Sequence, residues 1–303
     1  MGTEICKILG TKKNGDPVYA LGNKNTFIVG SSYTCKRYYY MLQNLPIPDS
    51  NYFVVSLDGD KELLIDSLSK DYDVAYFDLE NPESSTGYLE FPKYAEEEWA
   101  LLKDHLEKYS EPFASNSGKK RVSISDFLTD KKKAIVIKVG ANNPDGVRVA
   151  SIISALLFKA LLNRDYPSED PYVKLIFDDF LPKPECRMYD LLPIVRQYRC
   201  SVDVIAPNIE YISEDADVRA MVLPCFDNWI FMGNRHTGTV SYFARMLANE
   251  KPKFSFRKIL EGERIAQLES KLLKMNPNTC LIFRFGEKPL SVPIKEEFTA
   301  YTK

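Results

Sequence analysis

The sequence predicts an α/β fold in which helices cover both faces of a mostly parallel sheet. Short apolar runs recur along the chain, and stretches with helical spacing of apolar residues lie between them. Strands that alternate with helices are typical of parallel sheets, because a parallel pair needs a crossover connection. With 303 residues, of which 45% are apolar, the chain is long enough to bury a substantial core.

The predicted elements begin with the strand Thr26–Val29, an apolar run that ends at Gly30, and with the helix Tyr38–Leu42. Runs rich in β-branched and aromatic residues predict further strands. Four of these strands are Asp73–Leu79, Ala134–Val139, Val202–Ala206 and Asn228–Met232. Another begins at Asn51 and runs into a turn and a new helix by Leu63, and a sixth begins at Val173 and ends in Asp178 and Asp179. The other predicted helices are one that begins near Leu63, then Val147–Leu162, Tyr189–Tyr198 and Thr239–Leu247.

The segment between the first strand and its helix half-matches a phosphate-binding loop, whose pattern is G-x-x-x-x-G-K-[ST]. Gly30 and Lys36 have the right separation, but Cys35 replaces the second glycine and Arg37 replaces the Ser or Thr. The second glycine lets backbone N–H groups approach phosphate, and the hydroxyl holds Mg²⁺. We therefore predict that ATP and Mg²⁺ are bound weakly or not at all. The candidate nucleotide-contacting residues are Gly30, Ser31, Ser32, Lys36 and Arg37.

A second motif is the apolar run from Val173 that ends in Asp178 and Asp179. In a Walker B strand the first acid joins the Mg²⁺ shell, and the next acid, usually Glu, polarises the attacking water. Asp178 is therefore the metal candidate, and Asp179, one methylene shorter than Glu, is the catalytic candidate. A buried strand that ends in solvated acids at a sheet edge would give the same pattern.

Taken in order, these segments resemble the nucleotide-binding domain of the TraG/TraD-type coupling proteins of conjugation and type IV secretion, which are membrane-anchored hexameric ATPases related to FtsK-like motors. Val54–Leu63 resembles the family's VV-x-D-P-K-G-E-L, and Tyr72–Ser85 resembles G-Y-x-V-x-x-x-D-x-x-N-P-x-x-S. The other colinear segments are Phe27–Arg37, Ile124–Lys138, Lys174–Ile212, Trp229–Leu247 and Arg257–Pro289.

The resemblance implies a P-loop NTPase fold of the RecA/FtsK-like type. It also implies that residues 1–303 form a single nucleotide-binding-type domain, with a reduced helical insertion at about residues 90–122. In this family the loop Gly30–Arg37 and the acids Asp178 and Asp179 would lie at the same, C-terminal edge of the sheet.

The departures from the family pattern are concentrated at the positions that would bind nucleotide or catalyse its hydrolysis. Besides Cys35, Arg37 and Asp179, the family's glutamine after the fourth core strand, which would sense the γ-phosphate, falls at Pro207. Proline offers neither a side-chain donor nor an amide N–H. Arg196 and Arg199 lie near the family's arginine finger, but neither can be assigned to it, and a salt-bridge role is equally open.

Other parts of the family pattern are missing. The sequence has no apolar run of the ~18 residues that span a bilayer, and Met1–Gly10 does not resemble a signal peptide. Where the family inserts an all-helical domain, we predict only an amphipathic helix, Tyr94–Tyr109, and a flexible polar loop, Ser115–Lys120. We therefore expect a cytoplasmic protein, with the periphery of a membrane-bound transfer complex as its expected place.

Composition restricts the partners. The net charge of −2 does not support DNA as a partner, although short basic runs occur at Lys119–Arg121 and Lys131–Lys133. The six cysteines form no C-x-x-C pair, and with only two histidines the sequence predicts no zinc site. Scattered cysteines of this kind fit a reducing compartment. For Cys35, a reactive thiol and a drifted glycine both remain open.

Two functions are compatible with these observations. In the first, the chain is a catalytically impaired interaction module of a conjugation or type IV secretion system, with machinery proteins as partners and a homo-oligomer as its expected state. In the second, it is an active ATPase that drives DNA or protein transfer with atypical Walker motifs. The altered positions and the reduced insertion favour the first, while Lys36 and Asp178 keep the second open. Whether the chain is an enzyme therefore stays undecided, and it is best described as a degenerate P-loop ATPase.

Overall fold

The computed structural model describes residues 6–21, 23–32, 34–45, 47, 49–90, 120–163, 170–182, 192–213, 215–249 and 258–294. The strands are β1 (Cys6–Thr11), β2 (Pro17–Leu21), β3 (Thr26–Val29), β4 (Ser50–Leu57), β5 (Asp73–Asp78), β6 (Gly87–Glu90), β7 (Lys120–Ser123), β8 (Lys133–Val139), β9 (Tyr172–Asp178), β10 (Cys200–Ala206), β11 (Asn228–Phe231), β12 (Thr279–Arg284) and β13 (Leu290–Pro293). The α-helices of these ranges are α1 (Lys36–Asn44), α2 (Lys61–Ser69), α3 (Ile124–Thr129), α4 (Pro144–Asn163), α5 (Ala216–Val222), α6 (Thr237–Asn249) and α7 (Lys258–Leu273).

The strands form a nine-stranded sheet in the order β13-β12-β11-β3-β10-β9-β4-β8-β5, together with the two-stranded pairs β1-β2 and β6-β7. The predicted α/β class with a mostly parallel sheet and accompanying helices is confirmed. Among the helices in the described ranges, none has the length and apolar character that a membrane span requires.

The described residues divide into two compact units. One unit contains the residues from Leu45 to Val204, and the other contains Cys6–Asn44 and the residues from Ile205 onward. The predicted single domain with an insertion at about residues 90–122 stays a prediction, because residues 91–119 lie outside the described ranges. They include the predicted helix Tyr94–Tyr109.

In the first unit, β4 pairs in parallel with β8 and with β9, and β5 pairs in parallel with β8. β9 is buried along its whole length and β4 along all but its last residue, which explains their continuous apolar sequences. α4 begins at Pro144, and the Asn143 side chain caps it by accepting the Gly146 N–H at 2.9 Å. Because the strands are parallel, their carboxyl ends lie at one edge of this unit.

In the second unit, β3 pairs in parallel with β11, and β12 pairs antiparallel with β11 and β13. Aromatic side chains pack where β3, β11 and α6 meet. The ring centroids of Phe27 and Trp229 are 5.0 Å apart, and those of Trp229 and Phe243 are 5.7 Å apart. Such pairs contribute about 0.5–1.5 kcal/mol each beyond area burial, so they hold β3 firmly beneath the loop that follows it.

One predicted element is wrong within the described residues. The helix expected at Tyr189–Tyr198 is replaced over residues 192–198 by a turn and the short 3₁₀ helix Val195–Tyr198. Pro193 lies inside the predicted helix, where proline would remove a backbone hydrogen bond and clash with the preceding turn. Residues 189–191 lie outside the described ranges.

Candidate functional site

The predicted phosphate loop follows β3 in the second unit, and backbone hydrogen bonds fix its first residues. The Gly30 N–H donates to the Ala206 carbonyl at 3.2 Å, and the Ser31 N–H donates to the Gly233 carbonyl at 3.1 Å. A Cβ atom at Gly30 would lie 2.3 Å from Thr34 Oγ1, so this position accepts only glycine without a shift of its neighbours. The ends of two other segments therefore hold the start of the loop.

The turn that follows is closed on itself. The Thr34 N–H donates to the Ser31 carbonyl at 3.1 Å, and the Thr34 hydroxyl donates to the same carbonyl at 2.7 Å. In a phosphate loop, backbone N–H groups point at the bound anion. Here the N–H groups of Ser31 and Thr34 are already paired with carbonyl oxygens, which removes two donors from the cradle.

Cys35, at the place of the second loop glycine, keeps the backbone of a glycine. Its φ angle is +53°, in the left-handed region, and its side chain is buried. The left-handed conformation costs a residue with a Cβ roughly 1–2 kcal/mol. The backbone requirement of the loop therefore persists in this chain, while the thiol fills space that glycine leaves open.

The predicted contact residues of the loop all lie on this strand–loop–helix segment. Lys36 is buried and opens α1, Arg37 follows it and is half-buried, and Ser32 is exposed. The amino end of a helix favours anions, and two cations at this end add to that preference. The segment thus has the charge to hold an anion, although its backbone donors are partly used.

The predicted Walker B acids follow β9 in the first unit. Asp178 is its last residue and is completely buried, and its Oδ2 accepts a hydrogen bond from the Ser56 hydroxyl of β4. Asp179 follows with a φ angle of +45° and is half-buried. Non-glycine residues in such strained conformations concentrate at functional sites, which makes the carboxyl edge of this unit a candidate site.

A row of polar residues crosses four strands at this edge. Asp178 pairs in register with Ser56, Ser56 with Lys138, and Lys138 with Asp78. Lys138 Nζ lies 3.7 Å from Asp78 Oδ2 and 3.2 Å from Glu80 Oε2. Burial lowers the pKa of Lys138, but the hydrogen bond with Glu80 and the charge of Asp78 outweigh it and raise that pKa. Both acids of the row thus accept hydrogen bonds or ion pairs from within the unit.

The segment after β5 that resembles the family pattern forms a turn, and its polar side chains stabilise that turn by hydrogen bonds. Asp78 Oδ1 accepts the N–H groups of Glu80 and Asn81 at 3.0 and 2.9 Å, and the Tyr76 hydroxyl donates to Asp78 Oδ2 at 3.0 Å. Burial, followed by the charge of Asp78, raises the pKa of Tyr76, so that this hydroxyl remains a donor. Ser85 Oγ accepts the Asp78 N–H at 3.0 Å.

A second polar group, which the sequence did not predict, lies beyond β10 and β11 in the second unit. His236 Nε2 is 3.2 Å from Glu210 Oε2, and Asn234 Nδ2 donates to the Pro207 carbonyl at 2.5 Å. These contacts tie together the two segments whose neighbours, Ala206 and Gly233, hold the loop. One signal pointed to the group: His236 is one of only two histidines in the chain.

The backbone carbonyls of Pro207 and Arg199, at the expected sensor and finger positions, accept hydrogen bonds within their own units. Pro207 offers its carbonyl to Asn234. Arg199 has a φ angle of +51°, and its carbonyl accepts the Val173 N–H at 2.9 Å. Arg196 lies in the 3₁₀ helix Val195–Tyr198. Neither arginine is assigned as a finger. The convergence of the loop of one unit with the acids of the other likewise stays a sequence-based prediction.

This strand order and the loop after β3 define a P-loop NTPase fold. The sequence itself matches no protein-family model and no curated protein. The structure is similar to that of the bacterial conjugative coupling protein TrwB, in its unbound form, with 13% identity, a TM-score of 0.63, and coverage of 95% of this chain and 88% of that one.

Two further structures show the same fold. VirB4 of Thermoanaerobacter pseudethanolicus is 13% identical with a TM-score of 0.59 over 97% of both chains. TrwB in complex with ADP and Mg²⁺ is 12% identical with a TM-score of 0.60, over 95% of this chain and 90% of that one. At these identities the comparisons show that the fold is shared.

The residues of this chain fit the nucleotide and metal of that fold class only in part. Lys36 and the amino end of α1 suit a phosphate group, but the Cys35 side chain and the internally paired N–H groups narrow the cradle. For Mg²⁺, Arg37 supplies no oxygen ligand, and the buried Asp178 carboxylate already accepts from Ser56. Within the described ranges, no three His, Cys, Asp or Glu side chains are gathered as a metal site.

Proposed function

We propose that this chain is a coupling-protein-like P-loop domain of a conjugation or type IV secretion system, and that it acts as a catalytically impaired interaction module. The observation that carries the proposal is the closed loop after β3. Its Ser31 and Thr34 N–H groups are paired with carbonyl oxygens, and Cys35 is buried where the family has glycine.

The size of the expected defect follows from the altered positions. Losing one well-placed contact to the transition state costs on the order of 10²–10³ in rate. Cys35, Arg37, Asp179 and Pro207 all depart from the family pattern. Their effects need not add, because residues that act as a unit are not additive. Even one such loss would bring an ordinary turnover below about 1 s⁻¹.

The partners follow from the same proposal. A domain that keeps the fold but has lost catalysis can still bind other proteins through its surface. Proteins of the secretion or conjugation machinery are therefore the proposed partners. A homo-oligomer is proposed on the resemblance to hexameric coupling proteins, and a cytoplasmic place at a membrane-bound complex follows from it. DNA is a weaker candidate, because the net charge is −2.

Steady-state hydrolysis of ATP with Mg²⁺, with and without single-stranded DNA, tests the proposal. We expect less than about 1 turnover per second in both conditions, and no further loss in Lys36→Ala. Turnover of about 1 s⁻¹ or faster that Lys36→Ala abolishes would favour the second function, an active ATPase that drives DNA or protein transfer. The presence of Lys36 at the start of α1 is the observation that keeps this second function open.

Calorimetric titration separates a decayed loop from a loop that binds nucleotide without hydrolysis. We expect weak or no ATP binding by the wild type, and a gain in the double variant Cys35→Gly, Arg37→Thr, which restores the glycine and the hydroxyl. A matched control is Cys35→Ala, Arg37→Ala, which removes the sulfur and the guanidinium group but restores neither the glycine nor the hydroxyl. Wild-type binding at about −8 kcal/mol, in the low micromolar range, would contradict the proposal.

A further inference from the structure

Ser56 and Asp178 form a buried pair in the interior of the first unit. They lie opposite each other in the register of β4 and β9, and neither residue is exposed to solvent. The Ser56 hydroxyl donates to Asp178 Oδ2. A hydrogen bond in the low-dielectric interior is electrostatically stronger than one in water.

Gly59, which has no side chain, lies next to Ser56. A Cβ atom on Gly59 would lie 2.3 Å from Ser56 Oγ and 2.6 Å from Ser56 Cβ. The turn between β4 and α2 therefore passes directly against the serine. A side chain at position 59 would therefore displace Ser56 from the place where its hydroxyl donates to Asp178.

The pair belongs to the polar row that crosses four strands of the unit. Next to Ser56 in register, Lys138 faces Asp78, and the two form an ion pair. The first acid of the row thus accepts a hydrogen bond from a hydroxyl, and the second forms an ion pair with an ammonium group. The contacts of the row connect four strand ends within the unit.

The loop after β3 lacks the hydroxyl group that binds Mg²⁺ in a P-loop. The residue after Lys36 is Arg37, a fixed cation with no oxygen atom to offer. Divalent magnesium is bound by oxygen ligands, so the loop departs at this position from what Mg²⁺ needs.

We propose that in this chain Asp178 serves as the buried acceptor of Ser56, so that the pair is a metal-free latch between β4 and β9 and not a Mg²⁺ site. This inference rests on the proposed function, because an active ATPase would need the metal. It assigns to Ser56 a positioning role that the sequence motifs do not include.

The experiment is a titration of the full chain with Mn²⁺, followed by electron paramagnetic resonance, without nucleotide and with ADP. The wild type, Ser56→Ala and Asp178→Asn are compared, with Asp73→Asn as a control that removes an exposed acid from the same unit. We expect no tightly bound Mn²⁺ ion in any of the four chains. A tightly bound ion that is present in the wild type and lost only in Asp178→Asn would overturn the inference.

Thermal unfolding tests the latch itself. Ser56→Ala and Asp178→Asn should each lower Tm, and the double variant should lower Tm by less than the sum of the two, because both remove one interaction. Additive losses would contradict the latch. Should Asp178→Asn fail to fold, tight Mn²⁺ binding by the wild type or by Ser56→Ala would still overturn the metal-free assignment.

The two proposals fail separately. A wild type that binds Mn²⁺ through Asp178 but does not hydrolyse ATP would overturn this inference and leave the proposed function intact. A wild type that turns over ATP would overturn the proposed function, whatever the Mn²⁺ titration shows.

Discussion

Thr34 packs so closely against Gly30 that no side chain fits at position 30: a Cβ atom on Gly30 would lie 2.3 Å from Thr34 Oγ1 and 3.2 Å from Thr34 Cβ. The same hydroxyl donates to the Ser31 carbonyl at 2.7 Å, so it cannot turn away without breaking that bond. We expect Gly30→Ala to lower the free energy of unfolding by about 1–3 kcal/mol, the usual cost of overpacking. Chemical denaturation measures this change.

A double-mutant cycle identifies the cause of that loss. Thr34→Ala removes the hydroxyl that an alanine at position 30 would meet, so Gly30→Ala should cost less in the Thr34→Ala background than in the wild type. Equal costs in both backgrounds would show that the Thr34 hydroxyl is not the obstacle, which leaves the Cβ atoms of Met232 and Thr34 at 3.1 and 3.2 Å.

Cys35 gives a direct measure of backbone strain in the loop. Its φ angle is +53°, a conformation that glycine adopts freely and alanine does not. Cys35→Ala and Cys35→Gly both remove the sulfur, but only glycine also removes the Cβ. We therefore expect the glycine variant to be more stable than the alanine variant by about 1 kcal/mol in chemical denaturation. If alanine proves the more stable, position 35 does not hold the left-handed conformation in solution.

Asp73 connects stability to pH. The hydrogen bond from Lys120 lowers the pKa of Asp73; burial opposes this and Lys133 adds to it. A carboxyl group with a lowered folded-state pKa stabilises the protein above its unfolded-state pKa, and this contribution is lost as the pH falls through the folded-state pKa. Because the ion pairs are partly exposed, we expect Asp73→Asn to cost less than about 1 kcal/mol at pH 7.

Denaturation of both chains as a function of pH checks this prediction. The difference between the wild type and Asp73→Asn should be constant above about pH 5 and should shrink at more acidic pH. A difference that grows on acidification would mean that the Asp73 carboxylate is unfavourable in the folded state.

The sequence predicted the central strands well because strands that are buried on both faces consist of nearly continuous apolar residues. Thr26–Val29 and Tyr172–Asp178 are buried throughout, so their apolar runs end within one residue of the observed strands. The β1–β2 hairpin was missed, although Asn14–Gly15 between two such runs is a hairpin signal and Gly15 has a φ angle of +91°.

The candidate site was predictable only in its linear part. The loop residues are contiguous, so a motif could find them. The Ser56–Asp178 bond joins residues 122 positions apart and depends on strand register, which no local pattern encodes. The Glu210–His236 contact likewise joins the turns after two strands, and it becomes visible only when those strands are placed in one unit.

The Glu210–His236 pair predicts which nitrogen of the imidazole carries the proton. His236 Nδ1 accepts the Thr239 N–H at 3.2 Å, and this bond caps the amino end of α6. With Nδ1 acting as an acceptor, the neutral ring must carry its proton on Nε2, which then donates to Glu210 Oε2 at 3.2 Å. Nitrogen NMR at basic pH reads the tautomer directly, and His105→Asn leaves His236 as the only histidine in the spectrum.

We expect the Nε2–H form to dominate in the wild type, and Glu210→Gln, whose side-chain carbonyl still accepts, to preserve it. His236→Ala should lower the free energy of unfolding by about 0.5–2 kcal/mol, the usual range for loss of a helix cap. His236→Asn is the matched variant, because asparagine is a good cap residue but cannot reach Glu210 as the ring does. Recovery of stability in His236→Asn would attribute the loss to the cap, whereas no recovery would attribute it to the contact with Glu210. A dominant Nδ1–H tautomer would contradict both hydrogen bonds.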